Sequence, residues 1–348
     1  MFLRRAGVVL ASLQGLLSVK GQAWDTTLAL PGCEGLATDG GYLWAFSYDR
    51  RAAIEDTAIT GHLYRLSAGE ETPFIREVTP DGRWHPFGLA YRAPYVWFLN
   101  GPKARPTQVW RFTWDGEKLS EPRVWQDRRF VSLQAICPTG PERFFVANDR
   151  SHRARWHLVA GFFLRRVHST VFLCEGDSCW PVAGRIPYAS GLAYSASQQR
   201  LLVSVAFRKA LWVYEETEAA PNLRYVRRVR LPGYPDNITA LNDTLFWVVC
   251  HRRLTAWARS LAFGGKRSRW LIVAVQAQPD GNFRVQTLYA APKGYATASI
   301  ALPIGPYVYV GSLFEPYLLR FKAAEAIPPH ALPPNTSAAP APTPPAAR

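Results

Sequence analysis

One short pattern occurs six times between Trp24 and Lys322, and it restricts the fold more than any other feature of the chain. Each copy opens on a junction of small residues: Glu34-Gly35-Leu36, Phe87-Gly88-Leu89, Gln134-Ala135-Ile136, Ser190-Gly191-Leu192, Asp236-Asn237-Ile238 and Ala298-Ser299-Ile300. A turn later comes an apolar strand: Tyr42–Phe46, Tyr95–Leu99, Phe144–Ala147, Leu201–Val205, Leu245–Val249 and Tyr307–Val310. A third strand closes several copies, as in His62–Leu66, Gln108–Phe112, Ala210–Tyr214 and Tyr317–Phe321. Successive junctions lie 53, 47, 56, 46 and 62 residues apart. Repeats of this kind, made of short strands and turns, are the mark of a propeller. Helical periodicity is almost absent, which argues against a doubly wound sheet. The expected fold is therefore all-β, a six-bladed β-propeller with four strands per blade. The sixth copy runs out of chain after three strands. Thr26–Leu30, ahead of the first junction, is expected to supply the fourth and to close the ring, pairing an otherwise exposed edge.

The repeat overrides the two domains that 348 residues would suggest. Residues 24–322 are expected to form the propeller. Residues 1–23 read as an export signal, with Arg4 and Arg5 at the start, an apolar stretch from Ala6 to Val19, and a small-x-small cleavage site at Gly21-Gln22-Ala23. A membrane anchor retained after export is the alternative. Residues 323–348 are a Pro/Ala-rich tail, expected to be flexible. Beyond the N-terminus no apolar run is long enough for a membrane span. Five cysteines are too few for a zinc ribbon or a disulfide scaffold. The expected location is periplasmic or secreted.

The innermost strand of a propeller blade begins at the mouth of the central channel. Backbones crowd there, which accounts for Gly35, Gly88, Ala135, Gly191 and Ser299. The first junction residues, Glu34, Phe87, Gln134, Ser190, Asp236 and Ala298, should then point inward together. Two converging carboxylates repel unless something positive sits between them. Glu34 and Asp236, with the oxygens of Asn237, Gln134 and Ser190, form an oxygen-only set that suits one calcium ion. No Cys or His belongs to it, which disfavours zinc. The alternative is a hydrated polar channel in which one carboxyl is protonated.

These residues carry a resemblance. Pro235-Asp236-Asn237-Ile238, Trp247-Val248-Val249-Cys250-His251, Gly140-Pro141-Glu142-Arg143-Phe144-Phe145 with Asn148-Asp149, and Val310-Gly311-Ser312-Leu313-Phe314 resemble the paraoxonase (arylesterase/lactonase) family in register from Gly32 to Phe321. That family is related to the regucalcin–gluconolactonase and strictosidine-synthase-like propellers. The resemblance implies a catalytic calcium held by Glu34, Asp236 and Asn237, with Gln134 and Ser190 standing where the family has Asn. A second, structural calcium is not expected, because Gly35 and Ala135 occupy the positions of its acids. The family's catalytic His aligns with Phe87 and its partner His with Gly101, so neither is retained. His85, His251 and Asp149 are the remaining candidates for a base. A calcium would act as Lewis acid on an ester or lactone carbonyl. No Gly-x-Ser-x-Gly elbow is present, which disfavours serine-hydrolase chemistry.

Cys174 and Cys179 flank a turn-rich loop, and a disulfide is expected there in an exported protein. Cys33, Cys137 and Cys250 are expected to be unpaired and buried. Residues 151–166, apolar with flanking Arg, are expected to insert into the third blade as an amphipathic helix. That insertion would lie on anionic lipid or over the channel as a lid, and the family carries a similar one. The formal charge is +15. Its basic segments Arg224–Arg230 and Lys266–Arg269 read as solvated loops and not as nucleic-acid sites. The chain is expected to be a monomer acting on a small ester or lactone. A non-catalytic propeller that binds a ligand or an envelope partner is the second reading.

Overall fold

The computed structural model describes residues 26–56, 58–101, 106–150, 167–217, 221–263, 268–291, 295 and 297–323. Within them the chain forms six four-stranded sheets, every pairing antiparallel. The first sheet runs outward in sequence order through Gly35–Thr38, Tyr42–Ser47, His62–Ser67 and Ile75–Glu77. The next four sheets repeat this order, with inner strands Pro86–Arg92, Leu133–Pro138, Ala189–Ser195 and Tyr234–Ala240. The sixth has Ala298–Ile304 innermost and Thr26–Leu28 outermost, the latter antiparallel to Leu318–Lys322. Inner strands of consecutive sheets contact one another, so the molecule is a six-bladed β-propeller.

Burial follows each strand's place in its blade. The second strands are buried almost throughout and read as unbroken apolar runs, because a neighbouring sheet covers each face. Outer strands alternate or face solvent, as Ile75–Glu77 does. The core lies between sheets. Trp44, Phe46 and Leu63 of the first sheet pack on Leu89, Val96 and Phe98 of the second, with Trp84 edge-on to Phe98 at 5.1 Å. The basic segment Arg224–Arg230 is not a loop. It lies in the outer strand Leu223–Arg230 of the fourth sheet, where exposed arginines protect an edge against pairing with another chain.

Small residues at the junctions are required by crowding. A Cβ on Gly191 would stand 2.8 Å from the backbone of Asp236 and of Ile238, and one on Gly35 would meet the Leu89 side chain at 2.8 Å. Arg320, 1% exposed, ties the sixth sheet to the first blade: it donates to the carbonyl oxygens of Glu70 and Glu71 at 2.7 Å each.

Cys174 and Cys179 face each other across the hairpin of Ser169–Glu175 and Ser178–Ile186 and form a disulfide. Cys33 and Cys250 are free and buried, whereas Cys137 is only half-buried, contrary to expectation. The export signal, the 151–166 insertion and the tail after Ala323 lie outside the described residues. Among the described residues no helix is long and apolar enough to cross a membrane.

Two outcomes test this packing. Gly191→Ala should lower stability by about 1–3 kcal/mol in urea unfolding, the usual cost of overpacking. Reducing the disulfide, whose cysteines are 5 positions apart, should cost about 2 kcal/mol, because a short loop restrains the unfolded chain least.

Candidate functional site

At the hub the inner strands surround a cavity of about 230 Å³. Glu34, Phe87, Gln134 and Asp236 line it, so four of the six first junction residues converge as expected. Ser190 and Ala298 do not line it; Thr297 and Ser299 do. The Ser190 hydroxyl instead donates to the Pro235 carbonyl at 3.0 Å, which ties the fourth blade to the fifth. Asn237 is also off the cavity wall, half-buried. Of the five candidate ligands, the structure therefore brings Glu34, Gln134 and Asp236 together at the cavity.

Each of these has a partner. Arg50 forms an ion pair with Glu34 Oε2, and the Gln134 amide nitrogen donates to Glu34 Oε1 at 2.6 Å. Burial holds the Glu34 carboxyl above its ordinary range; Arg50 opposes that shift, and the charge of Asp236 adds to it. Asp236 is raised well above the ordinary range by burial, and its Oδ2 lies 3.4 Å from His251 Nε2. His251 is fully buried and stacked on Trp257 at 4.5 Å, and its Nδ1 is 3.2 Å from Ser268 Oγ. Burial pushes His251 down to about 3, so it is neutral at physiological pH.

The candidate bases separate clearly. Asp149 lines the cavity, 4% exposed, and its Oδ1 has no hydrogen-bond partner among the described residues. Burial raises its pKa, opposed by Arg150, whose Nη1 lies 3.6 Å from Oδ2. His251 stands behind Asp236 and off the cavity wall. His85 is also off the wall, with its ring edge-on to Tyr48 at 5.6 Å. Phe87 and Gly101 are in contact: a Cβ on Gly101 would come within 2.3 Å of the Phe87 ring. An aromatic ring over a glycine thus fills the space that the resemblance gives to two histidines.

Several wall residues escaped the sequence reading. Arg50 and Arg150 each follow the second strand of a blade, Tyr42–Ser47 and Arg143–Asn148, and so emerge at the rim of the hub. Helix Leu254–Phe263 covers part of the cavity with Trp257 and Leu261. Leu254, Trp257, Ala258 and Leu261 recur at i, i+3, i+4 and i+7, and they pack against Val167, Tyr188, Ala206, Phe207 and Tyr234. That spacing was the available signal. Two further wall residues, Tyr188 (φ 64°) and Thr297 (φ 52°), adopt left-handed backbone immediately before an inner strand. Such conformations cost a non-glycine residue of order 1 kcal/mol or more and cluster at functional sites.

Fold and cavity together define a six-bladed propeller with a charged site at its hub. The model for the arylesterase family matches residues 25–314, and the chain belongs to that family. It is 27% identical over 177 residues to mechanosensory abnormality protein 6 of Caenorhabditis elegans, a match covering 50% of this chain and 47% of the relative, about half its length. Two solved structures share the fold. A luciferin-regenerating enzyme superposes with TM-score 0.54 at 11% identity, covering 87% of this chain and 95% of that one. A putative gluconolactonase superposes with TM-score 0.51 at 15% identity, covering 84% and 89%.

The Phe87–Gly101 contact has a direct test. Gly101→Ala should cost about 1–3 kcal/mol in urea unfolding, whereas in a Phe87→Ala background the added methyl should cost little. Equal costs in both backgrounds would show that the ring does not set the limit.

Proposed function

We propose that this chain is a hydrolase that opens a small ester or lactone in the hub cavity. Membership of the arylesterase family supports the reaction class. The observation that carries the assignment to this cavity is Asp149, a buried wall carboxylate with one oxygen unpartnered and two guanidinium groups lining the same space. A carboxylate whose pKa is raised by burial is a better proton acceptor than an exposed one. In the proposed reaction Asp149 takes a proton from water while the water oxygen adds to the carbonyl carbon. The oxyanion so formed is stabilised by the neighbouring positive charge of Arg50 or Arg150. Collapse of the tetrahedral intermediate breaks the carbon–oxygen ester bond, and the leaving alkoxide takes the proton back from Asp149. His251, neutral and behind Asp236, would hold that carboxyl in place. His85 receives no step.

The calcium implied by the family resemblance does not suit the donor set as built. Calcium takes 6–8 oxygens. Here both oxygens of Glu34 accept from nitrogen donors, the Ser190 hydroxyl is turned to a carbonyl, and Asn237 is off the wall. No step is therefore assigned to a metal. Export is part of the reading, supported by the disulfide, a bond that persists in oxidising compartments.

A second reading, a propeller that binds a ligand without turning it over, is favoured by one observation. No histidine lines the cavity among the described residues, and Phe87 packed on Gly101 fills the positions of the family's pair.

A panel of lactones and aryl esters separates the two. With a turned-over substrate, Asp149→Asn should lower kcat about 100-fold or more while the fold is retained, the usual contribution of a general base. Because the base must be ionised, kcat/KM should rise with pH through the pKa of Asp149. Burial places that limb above the ordinary aspartate value, and the variant should lose it. Unchanged turnover in the variant would remove Asp149 from the mechanism. Binding without turnover by the native chain would favour the second reading.

A further inference from the structure

We propose that the hub carries its own cation: the guanidinium of Arg50, seated on Glu34, stands where a bound metal would otherwise sit. Glu34 is 6% exposed and shares the cavity with Asp236, also nearly buried, and the charge of Asp236 disfavours ionisation of Glu34. Two acids held in this way need a positive charge, and the chain supplies one with a defined seat.

That seat is built from the backbone up. The Asp49 carboxylate accepts from the backbone N–H groups of Arg51 and Ala52, at 3.0 Å each, which fixes the loop carrying Arg50 and starts the short helix Ala52–Glu55. From that loop the Arg50 side chain, 17% exposed, reaches the Glu34 carboxylate and also donates to the Pro86 carbonyl at 3.2 Å. Its Cζ lies 4.3 Å from the centre of the Phe87 ring and 5.6 Å from that of Tyr48. A guanidinium set between a carboxylate, a carbonyl and an aromatic ring is held through its charge, one doubly used nitrogen donor and its weakly hydrated surface.

The remaining Glu34 oxygen accepts from the Gln134 amide nitrogen, so each oxygen of this carboxylate already has a nitrogen donor. A divalent ion on Glu34 would have to displace Arg50 and would then repel a guanidinium held close by. The two cations are alternatives on one carboxylate. Phe87 belongs to the same device, since the ring that fills the space against Gly101 also supports the guanidinium. The inference concerns the cation and not the reaction, so it stands or falls separately from the hydrolase reading.

Thermal melting of the full chain, in calcium chloride and in EDTA, tests it without any activity assay. The native chain should melt at the same temperature in both. Arg50→Ala should melt several degrees lower in EDTA and recover part of that loss in calcium, because the freed Glu34 can then accept the ion. Arg50→Lys, which keeps the charge, should stay indifferent to calcium. The response of Arg50→Ala should vanish when Glu34→Gln is added. Should Arg50→Ala fail to fold, terbium luminescence excited through tryptophan reads the native chain directly; no saturable signal dependent on Glu34 is expected. Calcium stabilisation of the native chain that Glu34→Gln abolishes would overturn the proposal. So would a well-folded Arg50→Ala that gains no response to calcium.

Discussion

The structure turns on how acidic groups are kept at the centre of a ring of sheets. Glu34, Asp149 and Asp236 come from three different blades and meet at one cavity with little access to water. Unpaired, each would cost several kcal/mol to bury as an ion. The chain answers with Arg50 on Glu34, Arg150 beside Asp149, and neutral His251 against Asp236. The three answers differ in kind. A guanidinium bonded to a carboxylate favours its ionised form, a more distant one only biases it, and a neutral imidazole leaves the proton free to stay on the acid. One small space thus holds three carboxyl groups, each raised by burial and each set against a different partner.

The hub positions fall into two sets by their place in a blade. Arg50, Gly101, Asp149 and Arg150 all lie just past the second strand of a blade, while Glu34, Phe87, Gln134 and Asp236 lie at the start of a first strand. The propeller therefore offers two concentric sets of positions at its hub, one on each side of the first hairpin. Crowding is felt in both: beside the inner set at Gly35 and Gly191, and in the outer set at Gly101, against the Phe87 ring. The second set carries Arg50 and Arg150, and in the fifth blade the chain past the second strand forms the helix Leu254–Phe263.

The blade count and the junctions were legible in the sequence because both follow from a repeated steric requirement. Small residues and buried apolar strands recur wherever a blade meets the axis. Glu34, Gln134 and Asp236 could be placed at the hub for that reason alone. Ser190 could not, since a hydroxyl is satisfied by any nearby carbonyl, and that of Pro235 lies within reach across the blade boundary. Arg50 was missed because an arginine followed by Arg51 in a loop reads as solvated charge; only its distant partners, Glu34 and Pro86, reveal it. The helix Leu254–Phe263 was hidden among the basic residues around it, although its apolar positions recur at helical spacing. Arg224–Arg230 misled for a related reason: charge on an edge strand looks like charge in a loop.

Arg320 adds a different kind of constraint. Its guanidinium leaves the sixth sheet and grips the first blade through the carbonyl oxygens of Glu70 and Glu71, not through their carboxylates. A latch that fastens on main-chain atoms does not depend on the side chains at those two positions. A change of side chain at 70 or 71 therefore leaves the latch its acceptors, and only a change in the length or course of that bend would remove them.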